Sequence, residues 1–157
     1  DVLNAFSQIR RNDVELVILG SPMMEMEFYR KEFADFIYEA PRPHAEVLKL
    51  MRSCHVLILP SIAEGRALVQ QEAMSQGLAL LVTPNTGGAD LVIEGETGVL
   101  VPPGNSEAIV TQILSFADHP ERTISMGENA KKHASSYTWE AYAEALLSVL
   151  ATEIQSP

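Results

Sequence analysis

The sequence contains little of what a disulfide-linked or membrane-spanning protein requires. Cys54 is the only cysteine among 157 residues, so no intrachain disulfide can form, and this usage fits a reducing compartment. The longest apolar runs, at 56–60 and 78–82, fall far short of the roughly 20 residues that cross a bilayer. We therefore expect a cytoplasmic chain without a signal peptide, and peripheral membrane association of the full-length protein stays open.

Positive charge is also scarce. The chain has 11 Lys and Arg residues against 21 Asp and Glu residues, which gives a formal net charge of -10. Attraction to nucleic-acid phosphates or to an anionic membrane needs a surplus of basic residues. We therefore expect no nucleic-acid partner, and any anionic ligand must be held by local features of the fold.

The sequence lacks the spacings that are typical of metal sites. His44 and His55 are too far apart to form a pair on neighbouring turns of one helix, and no Asp-x-Asp motif occurs. The sequence therefore predicts no metal site and no cofactor.

The chain has instead a regular alternation of short apolar runs and helical patterns. Its apolar fraction of 46% fits a single domain over 1–157. Strands are predicted at 14–20, 35–38, 56–59, 78–83 and 97–101, and helices at 1–9, 25–33, 45–54, 67–76 and 89–93, with three more helices beginning near 105, 118 and 138. This order predicts an α/β fold, with a Rossmann-like, mainly parallel sheet, helices on both faces, and C-terminal helices. Trp139 is expected to anchor the last helix.

Ligands of such folds bind outside the carboxyl ends of the strands. The loop after Leu59 begins the stretch PSIAEGRALVQQEAMSQG, which carries Glu64 and Glu72 eight residues apart. The spacing alone decides nothing, because Glu27 and Asp35 share it. The position matters more, since Glu64 lies in the loop and Glu72 on the helix that follows.

The start of that helix suits phosphate groups. Gly65 lets the backbone turn, and the first helical turn, near Arg66 to Val69, presents unpaired N–H groups and the positive end of the helix dipole. A carboxylate on either side can accept hydrogen bonds from the two hydroxyls of a diol. The stretch therefore predicts a sugar-nucleotide site, and two solvated surface acids remain the alternative.

The pattern PS-x-x-EG-x-x-LV-x-x-EAM-x-x-G at 60–77 resembles the sugar-nucleotide signature of retaining glycosyltransferases of the GT-B fold, in the large family 4 group. LLVTPNTGG at 80–88, EGETGVLVP at 94–102 and the ending YTWEAYAEALL resemble the same family's C-terminal, donor-binding domain. The resemblance identifies residues 1–157 as the nucleotide-sugar-binding half of such an enzyme.

The resemblance also implies roles for individual residues. Glu64 would contact the transferred sugar at the reaction centre and is the implied catalytic residue, whereas Glu72 would hold the ribose hydroxyls. The backbone at 40–43 would lie near the base. The implied donor-binding residues are Gly65, Arg66, Ala67, Leu68, Val69, Glu72, Gly87 and Gly88.

The chain departs from the family at two places. Arg66-Ala67 stands where the family usually has Phe-Gly, and we hypothesise that Arg66 contacts the donor diphosphate; a solvated arginine is the alternative. After the glycine pair, the Gly-Gly-x-x-Glu of the family is replaced by GGAD, which places Asp90 one residue early.

The implied activity is transfer of a sugar from a nucleotide-sugar donor to a sugar, lipid or glycan acceptor, with retention of configuration and without a metal, in glycan or polysaccharide biosynthesis. A non-catalytic nucleotide-sugar-binding module and a plain α/β interaction domain are the alternatives. In the family, an acceptor-binding N-terminal domain and a strand that supplies an Arg and a Lys to the diphosphate would precede Asp1. We therefore expect this chain alone to bind a donor weakly and to be inactive.

Without that strand, the sheet has three possible arrangements. It has a gap, or it changes its pairing, or it takes a strand from a second copy, because exposed strand edges invite such self-association.

Overall fold

The computed structural model describes residues 1–154 and confirms the α/β fold. In chain order the elements are α1 (Val2–Gln8), β1 (Val17–Leu19), α2 (Met26–Glu32), β2 (Ile37–Glu39), α3 (His44–Met51), β3 (Val56–Leu59), α4 (Leu68–Gln76), β4 (Ala79–Val82), a 3-10 turn (Pro84–Thr86), α5 (Gly88–Leu91), β5 (Gly98–Leu100), α6 (Ser106–Asp118), α7 (Pro120–Ala134) and α8 (Trp139–Ile154). The strand predicted at 56–59 and the left-handed C-cap predicted at Gly77 are both confirmed, the latter with φ of 90°.

The strands form two separate parallel ladders. β1 pairs with β2, and β3, β4 and β5 pair in that order. Within the described residues no strand joins β1 to β3, so the structure has the first of the three expected arrangements, a gap in the sheet. Strand exchange with a second copy stays a prediction.

Helices cover both faces of the strands. Successive side chains of a strand point to opposite faces. Leu81 of β4 packs in one buried cluster with Phe6 of α1 and Ile109 of α6, whereas Leu80 packs in a second cluster with Met74 of α4. All four residues of β4 have an exposed fraction of 0%, which makes this strand the centre of the fold.

α7 crosses very close to the carboxyl end of α4. A Cβ atom on Gly127 would lie 2.0 Å from the carbonyl oxygen of Gly77, which is the residue that ends α4. Backbone atoms on both sides leave no side chain that could rotate away. Glycine at 127 therefore allows α7 to hold α4 at its carboxyl end.

α8 does not pack as the sequence suggested. Every described side chain from Ser135 to Ala151 is exposed, and Trp139 has 83% of its surface accessible. Trp139 contacts only the Tyr142 ring among the described aromatic side chains, edge to face at 6.1 Å. The expectation that Trp139 anchors this helix is wrong, because helical spacing identifies an apolar stripe but not what covers it. None of the described helices is both long enough and apolar enough to cross a bilayer.

Candidate functional site

The predicted site lies where two paired strands end. β3 and β4 are parallel neighbours, and Leu59 at the end of β3 is in register with Val82 at the end of β4. The loops that follow them, 60–67 and 83–87, therefore leave the sheet side by side. These loops contain Glu64 and four of the eight residues that the sequence assigned to donor binding, and the other four lie in the helices that follow, α4 and α5.

Hydrogen bonds join the two loops directly. The backbone N–H of Glu64 donates to the carbonyl of Asn85 at 3.0 Å, and the Asn85 side-chain amide donates to the carbonyl of Ile62 at 2.8 Å. The Thr83 hydroxyl donates to the carbonyl of Ser61 at 2.6 Å. The position of the Glu64 backbone is thus set by the loop after β4 as well as by its own.

The first turn of α4 has unpaired amides. Ala67 is the N-cap, and no side chain caps the helix. The Ala67 N–H donates to the carbonyl of Thr86 at 3.3 Å, whereas the N–H groups of Leu68 and Val69 have no partner within the described part of the chain. Leu68 has 66% of its surface exposed, so this helix start is open to solvent. The two free N–H groups can donate hydrogen bonds to an anion there, and the positive end of the helix dipole favours its negative charge.

Gln70 was not among the residues that the sequence identified. Its side chain is fully buried, and its Nε2 donates to the carbonyl of Thr86 at 2.6 Å, while its Oε1 has no partner among the described residues. One carbonyl oxygen therefore connects the first turn of α4 to the glycine loop through two hydrogen bonds. The only signal in the sequence was a glutamine beside the apolar positions of the LVQQEAM stretch.

Gly87 and Gly88 follow Thr86 directly, and a different physical reason favours glycine at each of the two positions. Gly87 has φ of 78°, a conformation that side chains disfavour, and it lies against Arg66. Gly88 has no room for a Cβ, which would lie 2.6 Å from Val82 Cγ2 and 2.8 Å from the carbonyl oxygen of Thr83. The fold itself thus excludes a side chain at Gly88.

The Arg66 side chain extends toward the segment between α7 and α8. Its guanidinium carbon lies 5.7 Å from the centre of the Tyr137 ring, within the range of a cation–π contact. The Tyr137 hydroxyl is 3.5 Å from the carbonyl oxygen of Asp90 and 3.2 Å from His133 Nε2. Arg66 is therefore held at the edge of the two loops rather than surrounded only by solvent.

The two glutamates have different neighbours. The Glu64 carboxylate accepts a hydrogen bond from the Ser61 hydroxyl at 3.1 Å, within its own loop. The Glu72 carboxylate is farther along α4 and lies 3.1 Å from the Nε2 atom of His44, the first residue of α3. The structure thus places Glu64 on the loop side of the α4 start and Glu72 on its α3 side.

Two other features of the described residues bear on the predicted site, namely possible metal-binding groups and a surface cleft. Among the side chains that the structure describes, which extend to residue 151, no group of three His, Cys, Asp or Glu residues is arranged to hold a metal ion. A cleft of about 580 Å³ lies between α1 and the start of α6, lined by residues such as Asn4, Gln8 and Asn105, and it contains none of the predicted site residues.

Comparison with known proteins finds clear similarities. The family model described as glycosyl transferases group 1 matches residues 1–133. The D-inositol 3-phosphate glycosyltransferase of Corynebacterium glutamicum is 34% identical over 109 residues, which cover 69% of this chain and 26% of that protein. The enzyme of the same name from Streptomyces coelicolor is 32% identical over 128 residues, or 81% of this chain and 28% of that protein. The chain spans just over a quarter of the length of these relatives.

Solved structures share the fold at low identity. Anabaena Alr3699/HepE in complex with UDP matches 96% of this chain and 44% of its own, with a TM-score of 0.81 and 21% identity. Its complex with UDP-glucose gives a TM-score of 0.79. The C-terminal domain of the group 1 family protein LpcC from Francisella tularensis matches 85% of this chain and 90% of its own, with a TM-score of 0.60 and 14% identity.

Proposed function

The chain belongs to the glycosyl transferases group 1 family, and on that premise we propose that it is the donor-binding half of an enzyme that transfers a sugar from a nucleotide-sugar to an acceptor. Its architecture is that of the C-terminal domain of a GT-B glycosyltransferase. The observation that carries the proposal is the open start of α4, with free amides at Leu68 and Val69 and a carboxylate on either side.

Each part of this junction has a proposed ligand group. The amides of Leu68 and Val69 bind the diphosphate, Glu72 accepts hydrogen bonds from the ribose hydroxyls, and Glu64 contacts the transferred sugar. HepE, which has the same fold, binds UDP and UDP-glucose, and this supports a nucleotide-sugar as the donor. Gly87 and Gly88 let the loop after β4 lie close to the start of α4. The buried side-chain amide of Gln70 fixes the position of that loop through its hydrogen bond to Thr86.

The proposed reaction retains the configuration of the transferred sugar. Its transition state resembles an oxocarbenium ion, and negative charge grows on the departing diphosphate. The α4 start stabilises that charge electrostatically, and Arg66 adds a positive charge at the same edge. Glu64 orients the sugar and offsets the positive charge on its ring. We assign it no nucleophilic role.

The rest of the proposal concerns the full-length protein. It would act without a metal, in the cytoplasm, on a sugar, lipid or glycan acceptor held by a second domain, in glycan or polysaccharide biosynthesis. A non-catalytic nucleotide-sugar-binding module is the second candidate, favoured by Arg66-Ala67 in place of Phe-Gly. Transfer activity of a protein that contains this chain, with the product anomer assigned by NMR, distinguishes the two.

Nucleotide binding tests the site itself. We expect calorimetric titration of the chain to show binding of one of UDP, GDP and ADP, and Glu72→Ala to weaken it about tenfold or more, because a charge-assisted contact to the ribose is lost. Glu32→Ala is the matched control, since Glu32 ends α2, whose apolar residues pack in the cluster on the opposite face of the strands. Equal affinity of wild type and Glu72→Ala for the bound nucleotide would refute the proposed site.

A further inference from the structure

His44 and Glu72 meet at the contact between α3 and α4. The Nε2 atom of His44 lies 3.1 Å from Oε1 of Glu72. An ionised carboxylate can only accept hydrogen bonds, so the imidazole is the donor, either as the neutral tautomer with its hydrogen on Nε2 or as the imidazolium. Both forms of His44 can therefore hold the carboxylate in the same place.

The packing of α3 explains why this histidine reaches Glu72. Val47, Leu48 and Met51 pack in the buried cluster that contains Met74 of α4. His44 precedes them by three, four and seven residues, which places it on the same face of α3. His44 is the first residue of the α3 face that contacts α4. Its ring lies at the end of the apolar contact, beside Glu72.

The contact fixes one half of the Glu72 carboxylate and leaves the other half available. Glu72 Oε1 is engaged by His44, whereas Oε2 has no hydrogen-bond partner within the described residues. The His44 and Glu72 side chains retain 65% and 34% of their exposure, and pairs this exposed contribute little to stability. Because the pair adds little stability, what it can affect is the position of the carboxylate and of its free oxygen.

We propose that His44 is a positioning residue that makes the site selective for ribonucleotides over 2′-deoxyribonucleotides. This rests on the proposed function, in which Glu72 receives the ribose hydroxyls. By holding Oε1, His44 keeps the carboxylate from rotating and directs Oε2 toward the diol, so that part of the ordering cost is met before the ligand arrives. The ligand class is a nucleoside diphosphate with an intact ribose.

The test compares two ligands that differ in one hydroxyl. Calorimetry uses whichever of UDP, GDP and ADP binds the wild-type chain, together with its 2′-deoxy counterpart. We expect His44→Ala to weaken binding of the ribonucleotide about threefold to tenfold and of the 2′-deoxy ligand less than about twofold, the effect of one oriented hydrogen bond. His44→Gln, which keeps an N–H donor at a similar reach, should stay within about twofold of wild type.

Controls separate positioning from folding. His55→Ala replaces an exposed histidine just before β3, away from the carboxyl ends of the strands, and should leave both affinities unchanged. In His44→Ala/Glu72→Ala the loss should equal that of Glu72→Ala alone, since the two side chains act as one unit. Equal weakening of both ligands by His44→Ala, or no weakening of either, would overturn the proposal. If Glu72→Ala leaves the affinity unchanged, the proposed function is refuted. That result is distinct from the His44→Ala result, which tests only the positioning role.

Discussion

At the scale of single residues, Gly88 and Gly65 differ in surroundings although both belong to the predicted donor site. A Cβ on Gly88 would meet Val82 and the Thr83 backbone at less than 3 Å, whereas a Cβ on Gly65 would meet no atom within 4 Å. We therefore expect Gly88→Ala to lower the free energy of unfolding by about 1–3 kcal/mol, as measured by urea denaturation. Gly65→Ala is the matched control and should stay within about 0.5 kcal/mol or stabilise slightly. Equal stability of the two variants would contradict the packing at Gly88.

Arg66 is a proposed contact of the donor diphosphate, and its role can be tested by reversing its charge. We expect Arg66→Glu to weaken nucleoside diphosphate binding about tenfold or more, because a negative charge then stands beside the phosphates. Lys132→Glu, an equal change of charge in the last turn of α7, controls for the net charge of the molecule. The measurement is calorimetric titration at two salt concentrations. Unchanged affinity would leave Arg66 with its Tyr137 contact alone.

At the scale of whole elements, the strands should differ in how well their amides resist hydrogen exchange. Alternate amides of a parallel strand point to opposite neighbours. Gly20 donates to Glu39 of β2, so in β1 the amides of Val17 and Leu19 point toward the gap. β4 has a partner on each side and is fully buried.

We therefore expect exchange measured by NMR to alternate along β1, with Ile18 and Gly20 protected and Val17 and Leu19 exchanging much faster, while β4 is protected throughout. Dilution of the sample serves as the control, because a strand borrowed from a second copy would protect the same amides only at high concentration. Uniform protection of β1 at every concentration would contradict an open gap.

At the scale of the whole molecule, the sequence predicted the helices and strands better than the contacts between them. The helix over 67–76 is observed at Leu68–Gln76, and the cap expected near residue 105 is Asn105, whose side chain accepts from the Ala108 amide at 2.9 Å. Such features depend on neighbours in the chain, which a single sequence shows directly.

What the sequence did not predict depends on residues far apart in the chain. The contact of His44 with Glu72 spans 28 positions, and that of Gln70 with Thr86 spans 16. Trp139 illustrates the same limit, since the apolar pattern of α8 was predicted from the sequence but its side chains are exposed in the structure. The donor-binding roles inferred from the motif stay predictions, whereas the contacts that His44 and Gln70 make in this region became visible only in the fold.

Because α7 lies closely against the Gly77 end of α4, a small tilt of α4 about that contact displaces its amino end. The helix has nine residues, and at about 1.5 Å per residue its first turn lies roughly 13 Å from the point where α7 presses on Gly77. A tilt of only about 5° about that fulcrum moves the free amides by about 1 Å, a displacement that can cost catalysis about 100-fold. The hydrogen bonds of Ala67 and Gln70 to Thr86 hold the first turn of α4 locally, and the packing at Gly127 adds a distant constraint on where the proposed phosphate-binding amides lie.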